Sequence, residues 1–403
     1  MKRQPQARWR AKAHTLVRCL KPAWSCTLAD GRRVPSAYKW FVNLSHFLGW
    51  LTLPASHGGK ALDIREVQTL AWVARADLVL DFLRWMSARS GGANGHTLAF
   101  LDTVNSLIHP KTGYLTQQAQ FSSRLPEEYR PAGDWSAHCA TAFWQLKEAR
   151  AVLHRSAVQT RDPEEAIAPL LALRNPVKPL IDMLDAMEQA MPAHTAPLRR
   201  AEHQRDMLLV AMLLSNPLRI SHFIFMRTAA GRASNLYRTA EGVWHLRYPY
   251  DAFKNGDARA KRKSGSARSG SVYDVEVGEF VNPYLERYLA EGRPALLKGK
   301  DSSLVFVGQK GNPEEPLNSL DVRLQYITSQ YLPNSPGFRA QSVRHVVTTA
   351  WLIEHPRDYV RAAHMLFDSL ETVLRVYGHL ETGETLADWG KWLSAIKTER
   401  KRP

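Results

Sequence analysis

At 403 residues the chain is longer than one ordinary hydrophobic core organises, so two or three domains are expected. A composition of 44% apolar and 23% charged residues excludes a disordered or fibrous chain, and no apolar run approaches the roughly 18 residues that cross a bilayer. Against 38 Asp and Glu stand 54 Lys and Arg, a formal net charge of +16. Such an excess favours a polyanionic partner, because each neutralised phosphate releases condensed counterions; nucleic acid leads. A membrane surface is the weaker choice, since no long basic helix carries an uninterrupted apolar face. The three cysteines, Cys19, Cys26 and Cys139, have no Cys-x-x-Cys spacing. They speak against a disulfide scaffold or a zinc site and fit a reducing, cytoplasmic setting. Met1-Lys2-Arg3-Gln4-Pro5 lacks the apolar core of a secretory signal.

In chain order, residues 1–63 form a basic amino-terminal region of uncertain fold, with an aromatic-rich stretch from Tyr38 to Trp50. Residues 64–165 read as a helical domain. Leu78, Phe82, Trp85 and Met86 share one helix face, closed at Gly91-Gly92, and Thr97 to Leu101 opens another helix that ends before Pro110. The proline-bearing stretch 155–180 reads as a linker. Within the last region, 166–403, Arg205 to Leu214 is a strongly apolar helix, broken at Ser215-Asn216-Pro217. Two strands follow, Val243 to Tyr248 and Ser271 to Val277, the second alternating with period two. Between them lies a basic loop, Lys254-Asn255-Gly256-Asp257-Ala258-Arg259-Ala260-Lys261-Arg262-Lys263, with an Asn-Gly turn signature. The remainder reads as helices over Tyr284–Leu297, Ser319–Tyr331, Ser342–Glu354, Ser369–Gly378 and Leu386–Lys397. The fold class expected is mainly α with a small antiparallel β-sheet.

Three stretches carry the functional signal. They are Leu213 to His222 around Leu218-Arg219-Ile220-Ser221, Gln341-Ser342-Val343-Arg344-His345 with the threonine-bearing helix after it, and Leu366-Phe367-Asp368 nine residues ahead of Tyr377. In this order, around a predicted hairpin, they resemble the boxes of the tyrosine recombinase (phage integrase) family. The resemblance covers about residues 172–385; residues 65–160 look only generally like that family's helical core-binding domain, a DNA clamp.

The resemblance implies attack on a DNA phosphodiester by the Tyr377 hydroxyl, leaving a 3′-phosphotyrosine and a free 5′-hydroxyl, with no metal or small-molecule cofactor. Arg219 and Arg344 would hold the non-bridging oxygens, since a guanidinium offers phosphate a fork of donors and keeps its charge. Lys254 would protonate the departing 5′-oxygen. The competing reading makes Lys254, with Arg259, Lys261, Arg262 and Lys263, a loop that tracks DNA phosphates.

The chain departs from the family pattern at three places. Gln341 stands where the second box carries a histidine, and glutamine cannot act as acid or base. Asp368 stands where the last box carries a histidine or tryptophan; a carboxylate there cannot donate and repels phosphate. With Glu371 three residues on, Asp368 reads as a helix cap. His222 stands where the family has an acidic side chain, which suggests that His222 and Asp368 meet and exchange roles; independent drift is the alternative. His345 and His379 flank motif residues and read as packing groups.

The function expected is a site-specific DNA recombinase or integrase, of the kind mobile elements carry, acting as a homo-oligomer on double-stranded DNA. The alternative is a catalytically impaired DNA-binding accessory or regulatory protein on the same scaffold. A type IB topoisomerase-like enzyme is more remote.

Overall fold

The computed structural model describes residues 35–158, 162, 164–228, 234–253, 272–378, 389, 391 and 392. The chain divides into two compact units between Asp162 and Pro163. It is mainly helical with one small antiparallel sheet, the fold class the sequence implies.

The first unit is helical. Helix α1 (Pro35–Leu51) forms because Phe41, Leu44, Phe47, Leu48 and Leu51 recur at helical spacing and are buried. Helix α2 (Ala76–Ser90) stops at Gly91, whose φ of 75° is the left-handed cap a glycine adopts without strain. Helix α3 (Gly95–Leu107) starts at Asn94, which accepts from the His96 and Thr97 amides. Helix α4 (Trp135–Arg155) starts at Asp134, which accepts from the Ala137 amide. Phe82 lies at the meeting point of these faces, with ring centroids 5.5 Å from Phe47 and 4.9 Å from Phe100. Residues of α1 therefore share one core with α2, α3 and α4. The aromatic stretch that reads as part of a separate amino-terminal region packs with the helices after it, burying its apolar face in their core.

The second unit begins inside the stretch that reads as linker. Ile167 is fully buried in its core, just ahead of α5 (Ala168–Leu171), and α6 (Lys178–Gln189) follows. Helix α7 (Pro197–Ser215) is buried on nearly every side from Ala201 to Leu213, its apolar run Met207–Leu213 in the core and the charges of Arg205 and Asp206 paired within it. Packed about it are α6, α9 (Asn282–Arg287), α10 (Arg293–Leu297), α11 (Leu320–Tyr331) and α12 (Ala340–Glu354). Short α8 (Ile220–Ile224), α13 (Tyr359–Met365) and α14 (Leu370–Tyr377) complete the helices discussed here. The single helix expected over Tyr284–Leu297 is interrupted by a π-turn at Tyr288–Gly292. Pro294 has no amide to continue an α ladder, and the wider turn absorbs that loss.

The sheet runs β1 (Leu236–Arg238), β2 (Trp244–Pro249), β3 (Val272–Glu276), all antiparallel. Leu246 faces Leu236 on one side and Val275 on the other. Strand β1 is not evident in the sequence, being three residues long without a β-branched side chain. On the outer face Asp274 gathers Tyr237, His245 and Arg247 across the three strands.

One buried ion network ties α7 to α11. Asp206, 1% exposed, accepts from Arg205 at 2.9 Å and from Arg323 at 2.6 Å, while Arg205 also donates to the Val307 carbonyl. Removing one partner of a buried pair strands charge that burial has already desolvated. Asp206→Ala is accordingly expected to destabilise the second unit by about 3–5 kcal/mol. Urea denaturation checks this; an unchanged midpoint would mean that the network contributes nothing.

Candidate active site

The three motif stretches converge in the second unit. After α7 stops, Asn216 donates to the Glu276 carbonyl and Leu218 is fully buried, which anchors the turn. Arg219 then occupies the N-cap position of α8 with extended backbone, and its side chain remains 31% exposed. Arg344, on the second turn of α12, is buried. Its guanidinium donates to the Pro217 carbonyl and, at 3.3 Å, to the Leu366 carbonyl. One side chain thereby clasps the first-box turn and the last-box turn to the second-box helix. Burial pulls its pKa down to about 10, with Arg219 adding to the effect and Asp368 opposing it, so it stays a cation at neutral pH.

The last-box turn is shaped by Phe367, whose φ of 47° puts a bulky residue in the left-handed region. That conformation costs about 1–2 kcal/mol. Packing offsets it, with ring centroids 4.0 Å from Phe253 and 4.9 Å from Tyr273. The turn delivers Asp368, buried, to the arginines. Its Oδ2 lies 2.7 Å from Arg219 Nη2 and 3.7 Å from Arg344 Nη2. The capping expectation is corrected here: Ser369 caps α14, accepting from the Thr372 amide, while Asp368 accepts from the Ser369 amide through Oδ1 and faces the two guanidinium groups through Oδ2.

Helix α14 is short and amphipathic, turning Val373 and Tyr377 inward one turn apart. Tyr377 is 5% exposed. Burial pushes its pKa up to about 12, against the pull of Thr348 and Arg344. Its hydroxyl lies 3.2 Å from His345 Nδ1, and the same nitrogen lies 3.6 Å from a Glu164 oxygen. His345 Nε2 lies 3.4 Å from the side-chain nitrogen of exposed Gln341, one helical turn earlier. Burial lowers the His345 pKa, assisted by Arg344 and opposed by Glu164.

The exchange of roles expected between His222 and Asp368 is not what the structure contains. His222 Nδ1 lies 3.1 Å from the Arg219 carbonyl, its ring stacks on Phe253 at 4.5 Å, and the Ala252 backbone lies close enough to favour its charged form slightly. Beneath Arg219, His222 supports the turn as a buried neutral ring. Lys254, Arg259, Lys261, Arg262 and Lys263 lie outside the described residues, as do His379 and most of Leu386–Lys397.

The structure therefore brings together Arg219, Arg344, Asp368 and Tyr377 and adds His345, which reads as a packing group in the sequence, and Glu164, which no motif in the sequence marks. The available signal was the four-residue spacing of Gln341 and His345 on the helix that also carries Arg344. No family model matches the sequence, and no curated protein does. Among solved structures, the XerH site-specific recombinase bound to difH substrate in a pre-cleavage complex aligns over 95% of this chain and 98% of its own, at 12% identity and a TM-score of 0.40. Among the described residues no group of His, Cys, Asp and Glu is placed to hold a metal ion, and no helix is long and apolar enough to cross a membrane.

Burial depresses the His222 pKa from 6.5 to about 4. An unfolded chain takes up a proton near pH 6.5 that the folded one refuses until about pH 4. Stability linked to His222 is thus whole above pH 6.5 and lost as pH falls through about 4, to a limit of roughly 3 kcal/mol. His222→Phe is expected to lose less stability than wild type between neutral and acid pH. Urea denaturation at the two pH values measures the difference; parallel losses would contradict it.

Proposed function

We propose that this protein is a site-specific DNA recombinase or integrase that cuts and rejoins double-stranded DNA through a 3′-phosphotyrosine at Tyr377. It works as a homo-oligomer on its DNA, in the cytoplasm. The observation that carries this reading is the convergence of Arg219, Arg344 and Tyr377 from three distant segments. In the proposed reaction both guanidinium groups neutralise the charge that develops on the non-bridging oxygens. Lys254, by the resemblance, protonates the 5′-oxygen as it leaves, and the basic loop around it follows the DNA backbone. Reversal by another 5′-hydroxyl conserves the bond energy, so no nucleotide cofactor takes part. Because Tyr377 is buried, α14 must shift for the hydroxyl to meet a phosphate.

One observation favours the second reading, a DNA-binding protein that no longer cuts. The Asp368 carboxylate takes an Arg219 N–H donor that would otherwise be free for a phosphate oxygen. Two cations against one anion still leave the cluster positive, so phosphate competes for the arginines but meets a resident acceptor. The strand-cutting reading takes this as a brake on the rate.

A covalent trap separates the two. Nicked suicide duplexes made from the native flanking DNA are expected to give a protein–DNA adduct that survives denaturant and is absent with Tyr377→Phe. Arg219→Ala should slow its formation on the order of 10²–10³-fold. Asp368→Asn should raise DNA affinity and speed adduct formation. Tighter binding by Asp368→Asn with no adduct from any form would establish the non-cutting protein.

A further inference from the structure

Two features of the site are unassigned by the reaction as drawn above: the His345 ring against the Tyr377 hydroxyl, and the polar groups on either side of that ring. A tyrosine whose pKa stands at about 12 is almost wholly protonated at neutral pH, so its attack on phosphorus needs a proton acceptor in reach. Among the described contacts of the hydroxyl, His345 Nδ1 at 3.2 Å is the basic atom, within the separation across which general bases work. The groups facing this imidazole are Glu164 ahead of α5, Tyr377 on α14, and Arg344 and Gln341 on its own helix. Burial keeps the ring neutral at neutral pH, so it has a lone pair to offer.

We propose that His345 is the proton acceptor for Tyr377, with Gln341 setting its tautomer and Glu164 balancing the imidazolium that forms. This rests on the strand-cutting reading and deepens it. Gln341 lies against Nε2, and half a turn of its amide presents the oxygen there instead of the nitrogen. Nε2 then carries the hydrogen and donates it to Gln341, which leaves Nδ1 open toward the tyrosine. As the Tyr377 O–H bond breaks, its proton passes to Nδ1. The phenolic oxygen bonds to phosphorus while the bond from phosphorus to the 5′-oxygen breaks. The departing 5′-oxygen takes a proton from Lys254 or solvent, and rejoining returns the proton from Nδ1 to the tyrosine. Glu164, 3.6 Å from Nδ1, faces the charge that appears. The resemblance expects its acid–base histidine at position 341; here the imidazole sits one helical turn on, and glutamine becomes a positioning residue.

The test is single-turnover adduct formation on nicked duplexes of the native flanking DNA, followed from acid to alkaline pH for wild type, His345→Gln and His345→Ala. Wild-type rate should rise with pH through an inflection below the ordinary 6.5 of histidine and then level. Both variants should be slower on the order of 10²–10⁴-fold and lack the inflection. Free imidazole should restore His345→Ala, and Glu164→Gln should move the inflection to lower pH. Replacing the scissile 5′-oxygen by sulfur, a leaving group that needs no proton, should leave the His345 variants slow. Recovery with the sulfur substrate would make His345 the acid and overturn the proposal, as would wild-type rates or an unchanged inflection in the variants. If wild type forms no adduct, the strand-cutting reading fails and this inference with it. A wild-type adduct with indifferent His345 variants removes the inference alone.

Discussion

The site depends on a guanidinium that has left water. Arg344 is buried at the junction of three chain segments, and the carbonyls of Pro217 and Leu366 receive its hydrogens. A desolvated cation is costly unless hydrogen bonds and a counter-charge surround it. That requirement organises everything near it: the turn before α8 must present a carbonyl, the turn before α14 must present another, and an anion must lie within reach. Asp368 supplies the anion, and its depth in the structure follows from serving two arginines at once.

This arrangement accounts for the chain's most unusual departure from its family resemblance. A carboxylate in the last box reads as hostile to DNA when considered alone. Beside Arg219 and Arg344 its negative charge offsets the repulsion between two neighbouring cations. In the proposed reaction stability and reactivity oppose each other, because the contact between Asp368 and Arg219 is one that phosphate would displace. Phe367 belongs to the same compromise: its left-handed backbone aims Asp368 inward, and aromatic packing on Phe253 and Tyr273 offsets the strain.

How much was legible in the sequence follows from how local each signal is. Helix α7 shows itself through an unbroken apolar run, and α2 through its stripe and its closing glycine, because propensity and burial agree there. Both longer strands are legible, β3 by its alternation, whereas three-residue β1 holds its place by pairing with β2. The role of Asp368 was not legible. Two residues in succession, Asp368 and Ser369, could each cap α14, and the choice is made by Arg219, 149 positions away in the chain. His345 was missed for a related reason: a histidine after a motif arginine is ordinary, and its meaning comes from α14 folding Tyr377 against it.

The central claim, that Tyr377 becomes bonded to DNA, is tested most directly by mapping the covalent link. Adduct formed on native flanking DNA would be digested with nuclease and protease, and the modified peptide sequenced by mass spectrometry. The account predicts a 3′-linked nucleotide on Tyr377 and on no other residue. A nucleotide on a different side chain, or unmodified Tyr377 in a protein that binds the same DNA tightly, would contradict it.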